Sequence, residues 1–331
     1  MAGSDMMAGP DMMSAAVVTR HGEPPVCRRR PTPTPAGGQV LVRVSAAPIT
    51  PLDLLCASGS SYLGAPALPY VPGVQGVGTL ADGPGVWFPT RAGMAPGDGG
   101  LAEYAAVAVA DLVPLPDGVD HRLIAALGYS AVAAWCALTM RGELIAGEDV
   151  LVLGASGTVG QAAVQLARLV GARRVTAAAR SATAAERLRA LGADAVVPLR
   201  ADDDVPGLAA RLREAAGGPV DLVLDPLFGV PAAAALRVLR AGGRLVNLGG
   251  SAGPTAPFDS ATLRGGSLRV LGYTNNELTR QQRAAAVAAI AGHARAGRLT
   301  VDHDVRPLDE VTAAWQTQAD GSAGARIVIT P

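Results

Sequence analysis

The chain of 331 residues contains no lysine, and its 28 basic residues are all arginine. A Schiff-base lysine, a phosphate-loop lysine and a lysine general acid are therefore excluded. Cysteine is scarce. Cys27, Cys56 and Cys136 are scattered, odd in number and without a CxxC pair. That leaves neither a disulfide framework nor a four-cysteine zinc lobe, and it suits a reducing, cytoplasmic setting. Aromatic residues make up only 3% of the chain, so a pocket that grips a flat ligand mainly by stacking is not evident. The formal net charge is zero, which argues against nucleic acid bound through its phosphates. No uninterrupted apolar run reaches the ~18 residues needed to span a bilayer, so no membrane partner is expected.

What is present is organised around residues 150–167, VLVLGASGTVGQAAVQLA. Residues 150–153 are all apolar and predict a buried parallel strand. Gly154, Gly157 and Gly160 follow at intervals of three, and Val159, Ala163, Leu166 and Ala167 recur at helical spacing. Strand, glycine turn and helix in that order form the phosphate end of a dinucleotide site. The backbone turns tightly and sets N–H groups and a helix N-terminus beside a pyrophosphate. Glycine is needed where a side chain would block that approach. The candidate cofactor-binding residues therefore begin with Gly154, Ser156, Gly157, Thr158, Val159 and Gly160. Such a turn also occurs where a helix merely packs close on a strand, so its meaning depends on its surroundings.

Residues 1–14 are rich in Met, Ala and Gly, lack the basic and apolar regions of a signal peptide, and are expected to form a flexible leader. Residues 15–126 predict a β-rich domain, with strands at 15–19, 39–45 and 100–109. A proline-rich connector at 31–35 lies beside a solvated arginine run at 28–30, and many Gly and Pro residues mark loops. From 127 the rhythm changes. Strands at 150–154, 174–179, 195–198, 220–225, 243–248 and 268–273 alternate with helices at 158–170, 183–191, 205–215 and 231–240. This alternation predicts an α/β fold, a doubly wound parallel sheet with helices on both faces. A helix at 279–296 and a last strand at 325–330 return the chain to the first domain. The expected organisation is a nucleotide domain at 127–274 and a β-rich domain at 15–126 and 275–331.

Six segments carry a family resemblance: VLVRVSAAPITPLD (40–53), LPYVPGVQGVG (68–78), GGLAEYAAV (99–107), GEDVLVLGASGTVGQAAVQLA (147–167), LGADAVV (191–197) and GGRLVNLGG (242–250). Together they resemble the medium-chain dehydrogenase/reductase superfamily, in its zinc-free quinone oxidoreductase branch. The resemblance implies a GroES-like catalytic domain, a Rossmann domain, and a homodimer paired through the edge strand 268–273. Zinc-dependent relatives place a cysteine near Ile49 and Thr50, and a His-Glu pair after Pro72-Gly73. This chain has Val74 and Gln75, which replace a thiolate or imidazole ligand poorly, so no metal is expected.

Cofactor choice is read at the end of the second strand, where an acid ~20 residues after the glycines would bind a ribose diol. Here the segment 176–181 is TAAARS, without a carboxylate. Arg180 offers a planar fork of donors suited to a 2′-phosphate, Ser181 adds a hydroxyl, and Arg187 on the next helix reaches the same group. NADPH is the expected cofactor. The resemblance also implies that Asp225 and its loop, and Gly249, Gly250 and Ser251, lie near the nicotinamide. One departure is Ala133, where relatives carry a threonine before the pair that here is Ala134-Trp135.

Hydride transfer asks little of a protein beyond orientation and electrostatics. Without a Lewis acid, quinones and conjugated enones are favoured over simple ketones, since their developing enolate charge needs less stabilisation. Thr50 replaces the asparagine of quinone oxidoreductases, Asp53 matches the family's aspartate, and Tyr62 falls near an aromatic position. These three are the candidate catalytic residues. The reading is an NADPH-dependent quinone or enone reductase. Two rivals stand beside it: a dedicated enoyl reductase of a polyketide or other secondary-metabolite pathway, and a non-catalytic NADPH-binding redox sensor.

Overall fold

The computed structural model describes residues 10–61, 64–81, 83–181 and 184–331. The chain divides into two units, one of residues 129–279 and 298–300, the other of residues 1–128, 280–297 and 301–331. Tyr62, a candidate proton donor, lies outside the described residues.

The first of these units is built on six strands, β1 (Asp149–Val152), β2 (Arg174–Ala179), β3 (Ala195–Pro198), β4 (Val220–Asp225), β5 (Leu239–Asn247) and β6 (Arg269–Gly272). They form one parallel sheet in the order 3-2-1-4-5-6. Helices α1 (Thr158–Val170), α2 (Ala184–Ala190), α3 (Val205–Ala216), α4 (Gly229–Leu236) and α5 (Ser260–Gly265) alternate with the strands. β1 and β4 are buried along their whole length, because helices cover both sheet faces. That is why DVLV and VDLVLD read as nearly continuous apolar runs. Leu151, Leu153, Leu208, Leu212, Val223, Leu236 and Leu245 meet in the core.

Two of the expected boundaries need correction. The helix expected at 231–240 spans Gly229–Leu236, and the strand expected at 243–248 already begins at Leu239. Leu239 pairs with Val220, and a register irregularity follows, so β5 starts before its glycines instead of after them. The helical alanines carry no signal for the end of α4.

The other unit holds a seven-stranded sheet. Its main order is His303–Pro307, Arg326–Thr330, Gln39–Pro48, Gln75–Thr79, Gly85–Pro89 and Val113–Pro114, with Tyr104–Ala108 also pairing to Gln39–Pro48. The C-terminal segment thus joins the N-terminal one in a single sheet, through Ile329 opposite Ala47. A separate hairpin pairs Met12–Val17 with Val26–Pro31. This corrects the leader boundary, since Met12 to Ser14 are strand residues and Met13 is buried at 2% exposure. The arginine run 28–30 is likewise strand, opposite residues 13–15, with Arg28 and Arg29 exposed. The seven-residue helix Pro51–Ala57 interrupts the β-rich stretch, and the sixteen-residue helix His121–Cys136 follows it. The second is kinked at Gly128 (φ 32°, ψ −136°), where the two units divide. The segment His121–Arg141 is long and apolar enough to cross a membrane and is mostly buried within the protein.

On β5, Arg244 is an almost wholly buried cation. Its guanidinium donates to both carboxylate oxygens of Glu148 (2.8 and 2.6 Å), and to the carbonyls of Gly142, Glu143 and Asp221. Burial pushes the Glu148 carboxyl up. The Arg244 hydrogen bonds, the Ile145 N–H and the charges of Arg244 and Arg240 more than offset this and hold it below the ordinary value. Removing one member of a buried, hydrogen-bonded pair strands the other. Arg244→Met is expected to cost about 3–5 kcal/mol at pH 7 by urea denaturation. Because the folded Glu148 carboxyl titrates low, its stabilisation is present above the unfolded carboxyl range of about 4.3 and is lost as pH falls below it. The variant's stability curve should therefore lose that acid limb; an unchanged limb would show that Glu148 does not carry it.

Candidate active site

At the carboxyl end of β1 the chain turns through Gly154, whose φ of +59° lies in the left-handed region that favours glycine. The three glycines of the motif do different jobs. A Cβ on Gly160 would collide with the Gly154 carbonyl and Ala155, so this glycine lets α1 pack directly on the strand end. A Cβ on Gly154 would lie 2.9 Å from Leu227 Cδ2 and 3.1 Å from Pro226 Cγ. Gly157 is different. It is the N-cap of α1, its φ of −76° suits any residue, and an added Cβ would meet only the Gly154 carbonyl at 3.5 Å. Packing does not require glycine there. Space is kept over a helix N-terminus that has no side-chain cap, which is the cradle a pyrophosphate needs. Thr158 and Val159 open that helix, and Ser156 sits in the turn before it.

β2 ends at Ala179, which places Arg180 and Ser181 exposed at the same end of the sheet. Arg187 is half-buried on α2. In the order 3-2-1-4-5-6 the winding reverses between β1 and β4, and ligands of open sheets bind at that crevice. The loop after β4 forms its other wall. Asp225 is fully buried; its Oδ1 accepts from the N–H groups of Leu227 (2.9 Å) and Phe228 (2.8 Å), and its Oδ2 from Asn247 Nδ2 (2.9 Å). Burial pushes this carboxyl up, opposed by those three donors. Asp225 is thus spent on shaping the loop. Gly249 packs on Pro226, and the Ser251 hydroxyl donates to the Pro226 carbonyl (3.3 Å), so the third loop is tied to the second.

In the β-rich unit, Thr50 and Asp53 form a capping box on the helix Pro51–Ala57. Asp53 Oδ2 accepts from the Thr50 hydroxyl (2.6 Å) and N–H (2.8 Å), and Oδ1 from the N–H groups of Gly73 (3.0 Å) and Val74 (2.9 Å). Burial pushes its pKa up against all four donors. Asp53 organises two chain segments, and the Thr50 proton is committed to it. Cys56 is buried, its thiol pushed up to about 11 by burial and the nearby Asp53 charge. Val74 is buried, and the buried Gln75 takes a hydrogen bond from Trp87 Nε1 (3.1 Å). Among the described residues, no group of three or more His, Cys, Asp or Glu side chains could hold a metal ion. The pattern Thr50-x-x-Asp53 is a capping signature that could have announced this arrangement from the sequence. Phe228, which holds the β4 loop together with Asn247, lies outside every segment that carries the resemblance, so no motif singles it out.

The sheet order and the open turn at Gly157 define a class: enzymes that bind a dinucleotide at the carboxyl ends of a parallel sheet. A family model described as zinc-binding dehydrogenase matches residues 158–292. A quinone oxidoreductase of Lama guanicoe is 31% identical over 341 residues, covering 98% of this chain and 99% of its own. The quinone oxidoreductase from Thermus thermophilus, solved also in complex with NADPH, is 33% identical with a TM-score of 0.78, covering 96% of this chain and 100% of its own. A phenolphthiocerol/phthiocerol polyketide synthase subunit of Mycobacterium tuberculosis is 34% identical over 229 residues, covering 65% of this chain and 10% of its own. The chain belongs to the medium-chain dehydrogenase/reductase superfamily, in its quinone oxidoreductase-like branch, and is a nicotinamide-dependent oxidoreductase.

The contrast between glycines gives a test. Gly157→Ala should change stability by no more than about 1 kcal/mol, the cost of a poor N-cap, yet weaken nicotinamide cofactor binding about tenfold or more. Gly160→Ala should lower the melting temperature through the clash with Ala155. Equal effects of both on melting, with binding untouched, would mean that the turn is a packing device only.

Proposed function

We propose that the protein transfers a hydride from NADPH to a quinone or an α,β-unsaturated carbonyl, without a metal ion. The observation that carries the cofactor choice is the end of β2, where exposed Arg180 and Ser181 stand in place of a carboxylate. Bound there, NADPH supplies the hydride. The N–H groups of the first turn of α1 face the pyrophosphate, with Gly157 leaving the approach clear. Arg180, with Ser181 and Arg187, takes the 2′-phosphate through charge-assisted hydrogen bonds. The loop held by Asp225, and residues 249–251, orient the nicotinamide end.

Metal-free chemistry is supported by the residues at the family's ligand positions. Val74 has no donor atom, and the Gln75 carboxamide is engaged by Trp87. An acceptor that delocalises its developing charge over a conjugated system needs no Lewis acid. With the Thr50 proton held by Asp53, the proton on the product oxygen comes from water, Tyr62 being the other candidate donor. The names of the similar oxidoreductases support a quinone as acceptor. A dedicated enoyl reductase is the second reading, favoured by the likeness to a polyketide synthase subunit.

A panel of quinones, enones and 2-enoyl thioesters, with NADPH oxidation followed by absorbance, tests both. Quinone turnover is expected; thioester turnover alone would favour the second reading, and binding without oxidation of any acceptor would favour a redox sensor. Arg180→Ala should raise KM for NADPH about 10–100-fold, the loss of a hydrogen bond to a charged group, and leave KM for NADH unchanged. Equal changes for both cofactors would count against the 2′-phosphate assignment.

The edge strand β6 leaves Val270 38% exposed and, among the described residues, pairs on one side only, with β5. Pairing of this edge with a second copy would satisfy it, as a homodimer. Light scattering at micromolar concentration should give twice the chain mass; a monomer would refute the dimer.

A further inference from the structure

We propose that Phe228 is a positioning residue for the cofactor, holding the loop after β4 against the glycine turn through a backbone conformation that phenylalanine does not favour. The inference deepens the assignment of NADPH to this crevice and rests on it. Phe228 has φ 59° and ψ −156°, a region populated almost only by glycine. Yet glycine is the next residue, not this one. A side chain kept in such a place must be held there by its surroundings.

Three sets of contacts do so. The Phe228 ring meets Phe258 edge-to-face, with centroids 5.7 Å apart and planes at 89°. The Phe228 and Leu227 N–H groups both donate to Asp225 Oδ1. The Leu227 carbonyl accepts from the Ala252 N–H at 2.8 Å. The outcome is that Leu227 and Pro226 are pressed against Gly154, at the point where the winding of the sheet reverses. The ring pair is the anchor, and the unfavourable backbone is what the anchor must hold. Releasing the ring while keeping a Cβ should let the loop relax away from the turn. Releasing the ring and removing the Cβ should let the loop stay.

That gives an ordering that a merely buried ring would not produce. In loops with negative φ, glycine is the more disruptive replacement, through backbone entropy. Here Phe228→Ala should be worse than Phe228→Gly in two measurements. One is the melting temperature of the cofactor-free protein. The other is the dissociation constant of NADPH by fluorescence titration, expected to rise about tenfold for the alanine variant and about two- to threefold for the glycine variant. Steady-state kinetics should show the loss in KM for NADPH with KM for the acceptor unchanged. Phe258→Leu, which keeps Phe228 and removes its ring partner, should shift NADPH binding in the same direction and guards against a poorly folding alanine variant. Wild-type affinity in Phe228→Ala, or an alanine variant that matches or exceeds the glycine variant, would overturn the proposal while leaving the NADPH assignment intact. Failure of the wild type to bind NADPH would overturn both.

Discussion

Between Gly154 and Gly160 the end of β1 and the start of α1 touch backbone to backbone. The contact is possible only because no Cβ stands there. It sets the angle at which α1 leaves the sheet, and so aims the helix N-terminus. It also leaves room for the β4 loop, since Leu227 and Pro226 fill the space a side chain on Gly154 would claim. Close packing makes interiors intolerant of even one added carbon, and here one carbon would displace the loop that borders the crevice. The glycines therefore serve fold and ligand at once, and only Gly157 is spared a packing duty.

A comparable economy of parts governs the β-rich unit. Asp53 has no acceptor capacity to spare, because its two oxygens take four hydrogen bonds from Thr50, Gly73 and Val74. A buried carboxylate is tolerable only when satisfied in this way. It joins the helix Pro51–Ala57 to the segment entering the strand Gln75–Thr79. Asp225 repeats the device in the other unit, tying the β4 loop to Asn247. Both acids are candidate site residues on sequence grounds, and each shapes backbone within its own unit. The buried Arg244 is satisfied in a comparable way. The five contacts of Arg244 need the planar, multi-donor fork that an ammonium lacks.

Much of the nucleotide unit is legible in the sequence. Strands at 174–179, 195–198 and 220–225 and the helix at 158–170 occupy the expected residues. Parallel strands buried on both faces announce themselves as apolar runs, and glycine turns mark their ends. The alanine-rich stretch before β5 misleads because alanine favours helix without saying where it stops. The helix His121–Cys136 does not stand out in the sequence, since Gly128 breaks its pattern in the middle. The strand pairing of Met12 to Ser14 is hidden in low-complexity residues, whose partners lie across a hairpin at 26–31.

The sequence by itself determined the alternation of elements, the glycine turn, the absence of lysine chemistry and the arginine at the end of β2. All are local facts, set by periodicity or residue type within about twenty positions. Tertiary structure alone decided that Asp53 also takes the N–H groups of Gly73 and Val74, that Asp225 is turned inward onto Asn247, and that Phe228 is held by Phe258. Each of these depends on groups far apart in the chain, or on a backbone angle imposed by surrounding contacts. Neither leaves a pattern in the order of residues, because the same side chains pointing outward would be written in the same letters.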